Sequence, residues 1–388
     1  MAHLRSGRAV AAAVSAVLAV GLAGCTPAGP GDAGGPAGGA PGPGSSGPPS
    51  AAPTPDPPQV AVPWRPGRPQ LGVHVYWVDN PAESEEVVRA KARRVVDYVV
   101  SLDANSVAVS LPLFTRGPTA SDVFTTKSTP SPERVRILLE EARRSRLRVT
   151  LRPLLDERSL IAADPKGWRG KIQPDSRDRW FASYGRLVAP YLEVAEESGA
   201  RTFVIGAELS SLEGDPRWAA LVRQAGRRFR GEIAYSVNWD SWVSGPTGVP
   251  VRQLGVDAYF PVRVSDDASV SALVAGWNEW LDRRRTGALD GLLLYEVGAP
   301  AEDGAYHHPG VWGSAGGRLN LAVQERWFQA VCGVARARRM AGVYWWKLDF
   351  HTDPAAADPR RDVHDSFVGR PGEQAIRSCF SAWADASR

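Results

Sequence analysis

Several absences narrow this sequence before any motif does. No glycine-rich phosphate loop follows the first strand-like run, "LGVHVYWVDNP", so an open doubly wound sheet, the alternative for alternating strands and helices, lacks its nucleotide-binding signature. The six histidines include no pair at helical metal spacing; His307 and His308 are adjacent on a loop, and neither a catalytic metal nor a cofactor is expected. The apolar run at residues 9–23 is too short and too alanine-rich to span a membrane. A formal charge of +4 and a pI of about 9.0 come without any basic block. The arginines of "KARRVVDYVV", "EEARRSRLRV", "DRRRTG" and "ARARRM" are spread among acids, as on solvated helix faces, so nucleic acid is not an expected partner. Residues 26–66 are mostly Gly, Pro, Ala and Ser with almost no large apolar side chain, and such a segment cannot bury enough surface to offset its ordering entropy.

What is present begins with Arg5 and Arg8 ahead of that apolar run, the charge order of a secretory signal. Leu22-Ala23-Gly24-Cys25 resembles the bacterial lipoprotein box, which implies cleavage before Cys25 and acylation of it. The expected organisation is a lipoprotein signal peptide over 1–24, the lipidated Cys25 and a disordered linker over 25–66, and a folded domain over 67–388, tethered to the membrane on its extracytoplasmic side. In that oxidising compartment Cys332 and Cys379, each in a helical pattern near the C-terminal end, are either a disulfide pinning the last two helices or two buried thiols.

After the tether, apolar runs alternate with amphipathic helical ones. The strand-like runs fall at 71–77, 106–114, 147–155, 202–209, 232–239, 254–262, 291–298 and 342–350. Eight such βα units predict an α/β fold, one (β/α)8 TIM barrel. The interval between Trp239 and Leu254 leaves room only for a fifth helix reduced to a turn or two.

Barrels of this kind carry their chemistry at the C-terminal ends of the strands. There the sequence places His74 and Tyr76-Trp77, Arg152 and Asp156, Glu208, Asn238-Trp239, Asp257 and Tyr259, Glu296, and Trp345-Trp346. Glu208 and Glu296 end the fourth and seventh strands, and two carboxyls roughly 5 to 5.5 Å apart are what retention of configuration at a glycosidic centre requires. An apolar surround of Trp239 and the strand-eight tryptophans would keep Glu208 protonated, and a hydrogen bond from Tyr259 would keep Glu296 ionised.

The segments "WRGKI", "FVIGAELSSLEGDPRW", "YSVNW", "GVDAYFPV", "YEVGAPAEDGAYHHP", "QERWFQAV" and "GVYWWKLD" resemble glycoside hydrolase family 113, barrels of clan A that include endo-β-1,4-mannanases, over roughly residues 70–350. The resemblance implies Glu208 as acid/base and Glu296 as nucleophile of a retaining endo-glycosidase, acting as a monomer on a β-mannan or β-glucan. Trp77, Arg152, Asn238, Trp239, Tyr259, Trp345 and Trp346 are the expected substrate-binding residues. One of the two adjacent tryptophans would form a sugar platform, since successive strand residues point opposite ways. Arg152 either binds sugar hydroxyls or pairs with Asp156 or Glu296, and His74 is either a sugar ligand or a satisfied buried histidine. Clan A enzymes often carry asparagine before the acid/base, where it binds the sugar 2-hydroxyl and where this chain has Ala207; either Asn238 or another group replaces the contact, or the enzyme acts on a different sugar, or turnover is slow. A polysaccharide-binding lipoprotein without activity, and a transglycosylase acting on an exopolymer, are the alternative readings.

Overall fold

The computed structural model describes residues 57–164, 167–314 and 316–385, and among these the strand-like runs form eight parallel strands. They are β1 (Gln70–Tyr76), β2 (Ser106–Thr115), β3 (Arg148–Leu155), β4 (Thr202–Ala207), β5 (Glu232–Asn238), β6 (Gln253–Asp257), β7 (Leu293–Val297) and β8 (Gly342–Asp349). Each pairs with its successor in the chain, and β8 pairs with β1 from Gln70↔Gly342 to Tyr76↔Asp349, so the sheet closes on itself as a (β/α)8 barrel. The strands read as near-continuous apolar runs because both faces are covered; every residue of β2 is buried. Their inward faces fill the barrel in layers. Ala108, Val204, Ala234, Leu293, Tyr295 and Tyr344 form one layer, and Tyr76, Leu154, Ala207 and Trp346 form another at the C-terminal ends.

Around the barrel run α1 (Glu85–Ser101), α2 (Pro132–Arg144), α3 (Arg158–Ala163), α4 (Arg177–Glu197), α5 (Arg217–Arg228), α6 (Trp239–Ser244), α7 (Val270–Asp282), α8 (Leu321–Ala337) and α9 (Pro371–Asp385). Local chemistry sets several of their starts: Ser84, Ser131, Ser176, Ser269 and Asn320 each accept a backbone N–H of the first turn. The reduced fifth helix is α6, six residues long. Two additions escaped the sequence pattern: the short α3, and a two-residue strand, Val123–Phe124, antiparallel to the end of β2.

Cys332 of α8 and Cys379 of α9 are joined in a disulfide with a Cα–Cα distance of 5.8 Å, which decides between the two expectations for these residues. The expected signal peptide, Cys25 and the tether as far as residue 56 lie outside the described residues. The end of that tether, 57–66, lies against the domain. Val60 is buried and donates its N–H to the Ser145 carbonyl (3.1 Å), while the Arg148 guanidinium sits 4.7 Å from the Trp64 ring centre. These two side chains are the large apolar groups that the Gly/Pro/Ala stretch before them lacks. Among the described residues no helix is long and apolar enough to cross a membrane.

Candidate active site

The site is assembled on a buried cation. Arg152, on the inward face of β3, has no exposed surface; its Nη1 donates to Oε2 of Glu296 (2.7 Å) and its Nη2 to Oδ2 of Asp257 (2.6 Å). Asp257, which ends β6, also accepts from the Ser236 hydroxyl of β5 at 2.5 Å. The ladder between β7 and β8 is irregular between Leu294 and Val297, where Glu296 stands, and the second oxygen of Glu296 accepts from the Tyr259 hydroxyl at 2.6 Å. Burial alone would raise the pKa of Glu296. The Arg152 guanidinium, the Tyr259 hydrogen bond and the more distant Arg169 outweigh burial and hold the carboxyl below its usual range.

Glu208 is aimed differently. The β4–β5 ladder slips between Val204 and Ala207, and Gly206 is required there, since a Cβ would meet the Trp218 ring at 2.9 Å and the Tyr235 ring at 3.0 Å. Glu208 then adopts a left-handed φ of 55°, an uncommon conformation for a residue with a side chain. The turn is fixed from both sides: the Glu208 N–H donates to the Ser236 carbonyl (2.8 Å) and the Leu209 N–H to the Tyr235 hydroxyl (2.9 Å). The Glu208 carboxyl accepts from Nη1 of Arg169, whose Nε donates to the Leu155 carbonyl at 2.7 Å.

Around this centre four carboxyls, Glu157, Glu208, Asp257 and Glu296, face two guanidinium groups, Arg152 and Arg169, so they cannot all be ionised cheaply. Burial pushes the Glu208 pKa well above its ordinary value, and the charges of Asp257 and Glu296 add to this, against the opposing pull of Arg169. Asp257 is pushed up to about 7, by burial first and by Glu296, with Arg152 and Ser236 opposing. Two strand-end glutamates that sense each other's charge are therefore driven in opposite directions.

The expected binding residues divide. Tyr259 bonds Glu296 as expected. Trp346 faces the barrel mouth, its ring centre 5.6 Å from that of Tyr76 and 5.3 Å from that of His74. Trp345 is corrected: strand alternation turns it outward onto Phe328 of α8, at 4.7 Å. Trp77 is corrected for the same reason. It stacks on Phe350 in the layer between barrel and helices, and its neighbour Tyr76 takes the inward position. Arg152 is too deep to meet a sugar, and its partners are Asp257 and Glu296, with Asp156 bonded instead by the Tyr76 hydroxyl (3.4 Å). Trp239 opens α6 and packs edge-on against Phe260 and Trp280, so it is not the surround that raises Glu208. Asn238 stands at the end of β5, where its amide donates to Asp240 (2.8 Å), and Ala207 packs with Tyr76, Leu154 and Trp346. His74 is a satisfied buried histidine. Burial first, and then Arg152, lower its pKa to about 3, so the neutral ring donates from Nε2 to the Tyr295 carbonyl and accepts at Nδ1 from Ser110 (3.0 Å).

Sequence reasoning placed Tyr76 at a strand end without a binding role, and gave Arg169 no part in the site. Arg169 lies in the quoted "WRGKI", yet it belongs to the long β3–α4 connection and not to a strand end, so nothing local signalled its reach to Glu208. Among the described residues no group of three or more His, Cys, Asp or Glu side chains is placed to hold a metal ion.

With this geometry in hand, likeness to known proteins carries weight. The model of Glycoside Hydrolase Family 113 matches residues 81–366. A solved GH113 β-1,4-mannanase superposes with a TM-score of 0.68 at 18% identity, over 81% of this chain and 99% of its own. The GH113 β-mannanase of Alicyclobacillus acidocaldarius, in complex with ManMIm, gives 0.62 at 21% identity, over 81% and 98%. At such identities the structural likeness is one of fold. No curated protein matches the sequence.

Proposed function

The chain belongs to glycoside hydrolase family 113, and from that premise we propose that it is a retaining endo-glycosidase that cleaves a β-mannan, with Glu296 as nucleophile and Glu208 as acid/base. The observation that carries this reading is the opposite drive on the two glutamates: Glu296 is held ionised by Arg152 and Tyr259, and Glu208 is kept protonated by burial among like charges.

In the first step Glu296 attacks the anomeric carbon while Glu208 gives its proton to the glycosidic oxygen, so the C–O bond breaks and a glycosyl ester forms. Esterification removes the charge of Glu296, which is one of the charges raising Glu208. Glu208, now a carboxylate of lower pKa, takes a proton from water as that water attacks the same carbon, and the ester is released with net retention. Tyr259 follows the changing charge on Glu296, and Arg152 supplies a fixed cation that needs no reorganisation. The choice of β-mannan is supported by the β-1,4-mannanases of the same fold and family. The enzyme would work as a monomer outside the cell, held by a lipidated Cys25.

The test uses an aryl β-mannoside and the variants E208A and E296A with added azide. Restored turnover giving the α-glycosyl azide with E296A, and the β-azide with E208A, is the expected result. Full hydrolysis by either variant without azide removes the assignment.

A further inference from the structure

The barrel has a second end, and its charge differs from that of the mouth. Arg68, Arg146, Arg201, Arg230, Arg252 and Arg339 each stand within three residues of the start of a strand, at β1, β3, β4, β5, β6 and β8, and Arg283 to Arg285 open the connection into β7. Asp103 and Asp290 are the acids of these connections, whereas the connections that leave the strands hold more acids than bases. The fold thus sorts what the sequence interleaves. The acids beside these arginines in the chain lie on helices or at the mouth, and the arginines gather at the N-terminal end of the barrel.

Helix C-termini attract cations, and this accounts for part of the pattern. It does not account for Arg65 and Arg68, which follow no described helix, or for Arg252, which stands well beyond the six-residue α6. Arg230 and Arg339 pair with Glu196 and Asp290, but Arg146, Arg201, Arg252, Arg284 and Arg336 are exposed and have no carboxylate partner among the described residues. Between the segment that enters β1 and the end of α8 the same end opens a cavity of about 830 Å³, lined among others by Trp64, Arg68, Arg336, Arg339 and Trp383. Guanidinium groups without partners, beside tryptophans, suit phosphates held at an apolar–polar boundary.

We propose that this N-terminal end is a docking face for an anionic phospholipid bilayer. The bilayer is the occupant because the chain enters the domain here: Val60 bonds Ser145 in the connection into β3, and Trp64 lies on Arg148 at the start of that strand. The choice rests on the proposed lipidation of Cys25, which would bring this end of the domain nearer the membrane than the mouth. Docked in this way, the barrel turns its mouth from the bilayer toward polymer outside the cell. Each exposed arginine adds an attraction that fades within a Debye length of the surface.

The test uses the chain from residue 25 carrying C25S, so that no acyl chain contributes, and vesicles of phosphatidylcholine alone or with an equal part of phosphatidylglycerol. Cosedimentation is expected with the anionic vesicles only, weakening as salt is raised. R146Q/R201Q/R252Q is expected to lower the partition coefficient roughly tenfold or more, and lysine at the same three positions to keep binding. R116Q/R263Q/R360Q removes the same charge from connections at the mouth and is expected to change the coefficient less than about twofold. Equal loss in the two glutamine variants, equal binding to both kinds of vesicle, or binding to neither overturns the docking face, and so does retention by soluble polyphosphate without binding to vesicles. The mass of the Cys25 peptide from the native membrane fraction reads acylation separately, so that failure of the anchor and failure of the face are told apart.

Discussion

The proposed acid and the proposed nucleophile differ by what surrounds them. Glu296 has a donor on each oxygen, one of them a guanidinium without solvent contact, whereas Glu208 sits buried where carboxyls outnumber cations. The proposed mechanism requires Glu296 ionised and Glu208 protonated, so kcat/KM is expected to fall on the acid side as Glu296 gains its proton and on the alkaline side as Glu208 loses its own. Removing the Tyr259 hydroxyl withdraws a bond made to the charged form and raises the Glu296 pKa. Y259F is therefore expected to move the acid limb to higher pH and to lower kcat by about 10²-fold; an acid limb shifted to lower pH would contradict this role. Arg169 lowers the pKa of both glutamates. In R169Q the whole bell is expected to move to higher pH, and in R169K to stay near its place, as a pH series of kcat/KM on both variants will show.

Elements decide which of these residues meet. Strand alternation explains why Tyr76 and Trp346 face the mouth while their neighbours Trp77 and Trp345 pack against the helix layer. That one of the two adjacent tryptophans faces the barrel mouth was legible, but which one depends on where the ladder slips, and slips leave no local mark. The same holds for Glu208: the sequence places it at a strand end, whereas the bulge and the left-handed turn that aim it become visible only through Gly206 between Trp218 and Tyr235. A methyl group at 206 has to displace one of those rings. G206A is expected to destabilise the fold by about 1–3 kcal/mol and to lower kcat more than the KM of the surviving enzyme; a denaturation curve and kinetics matching wild type would show that the bulge does not depend on that contact.

At the scale of the whole molecule, eight strand runs in order and one short interval were enough to read the barrel and its reduced fifth helix, because period and length carry that information. Contacts that join distant connections were not readable. Arg169 reaches Glu208 from a long loop, and Trp312 gains its neighbours from a connection beyond β8. The lower edge of the domain also differs from its compositional boundary, since Val60 and Trp64 pack below it. A chain beginning at residue 57 is expected to be more stable than one beginning at 67 by about 2 kcal/mol, as denaturant melting of the two will measure; equal midpoints would mean that residues 57–66 contribute nothing.

All of this turns on two glutamates from β4 and β7 acting on one glycosidic bond through a covalent ester. A 2-deoxy-2-fluoro-β-mannosyl fluoride, which forms the ester quickly and hydrolyses slowly, followed by mass spectrometry of the digested protein, tests it most directly. The expected result is one added glycosyl mass on the peptide that contains Glu296, lost on reactivation with a sugar acceptor. Label on another carboxylate, or no label while the natural substrate is cleaved with inversion, would contradict it.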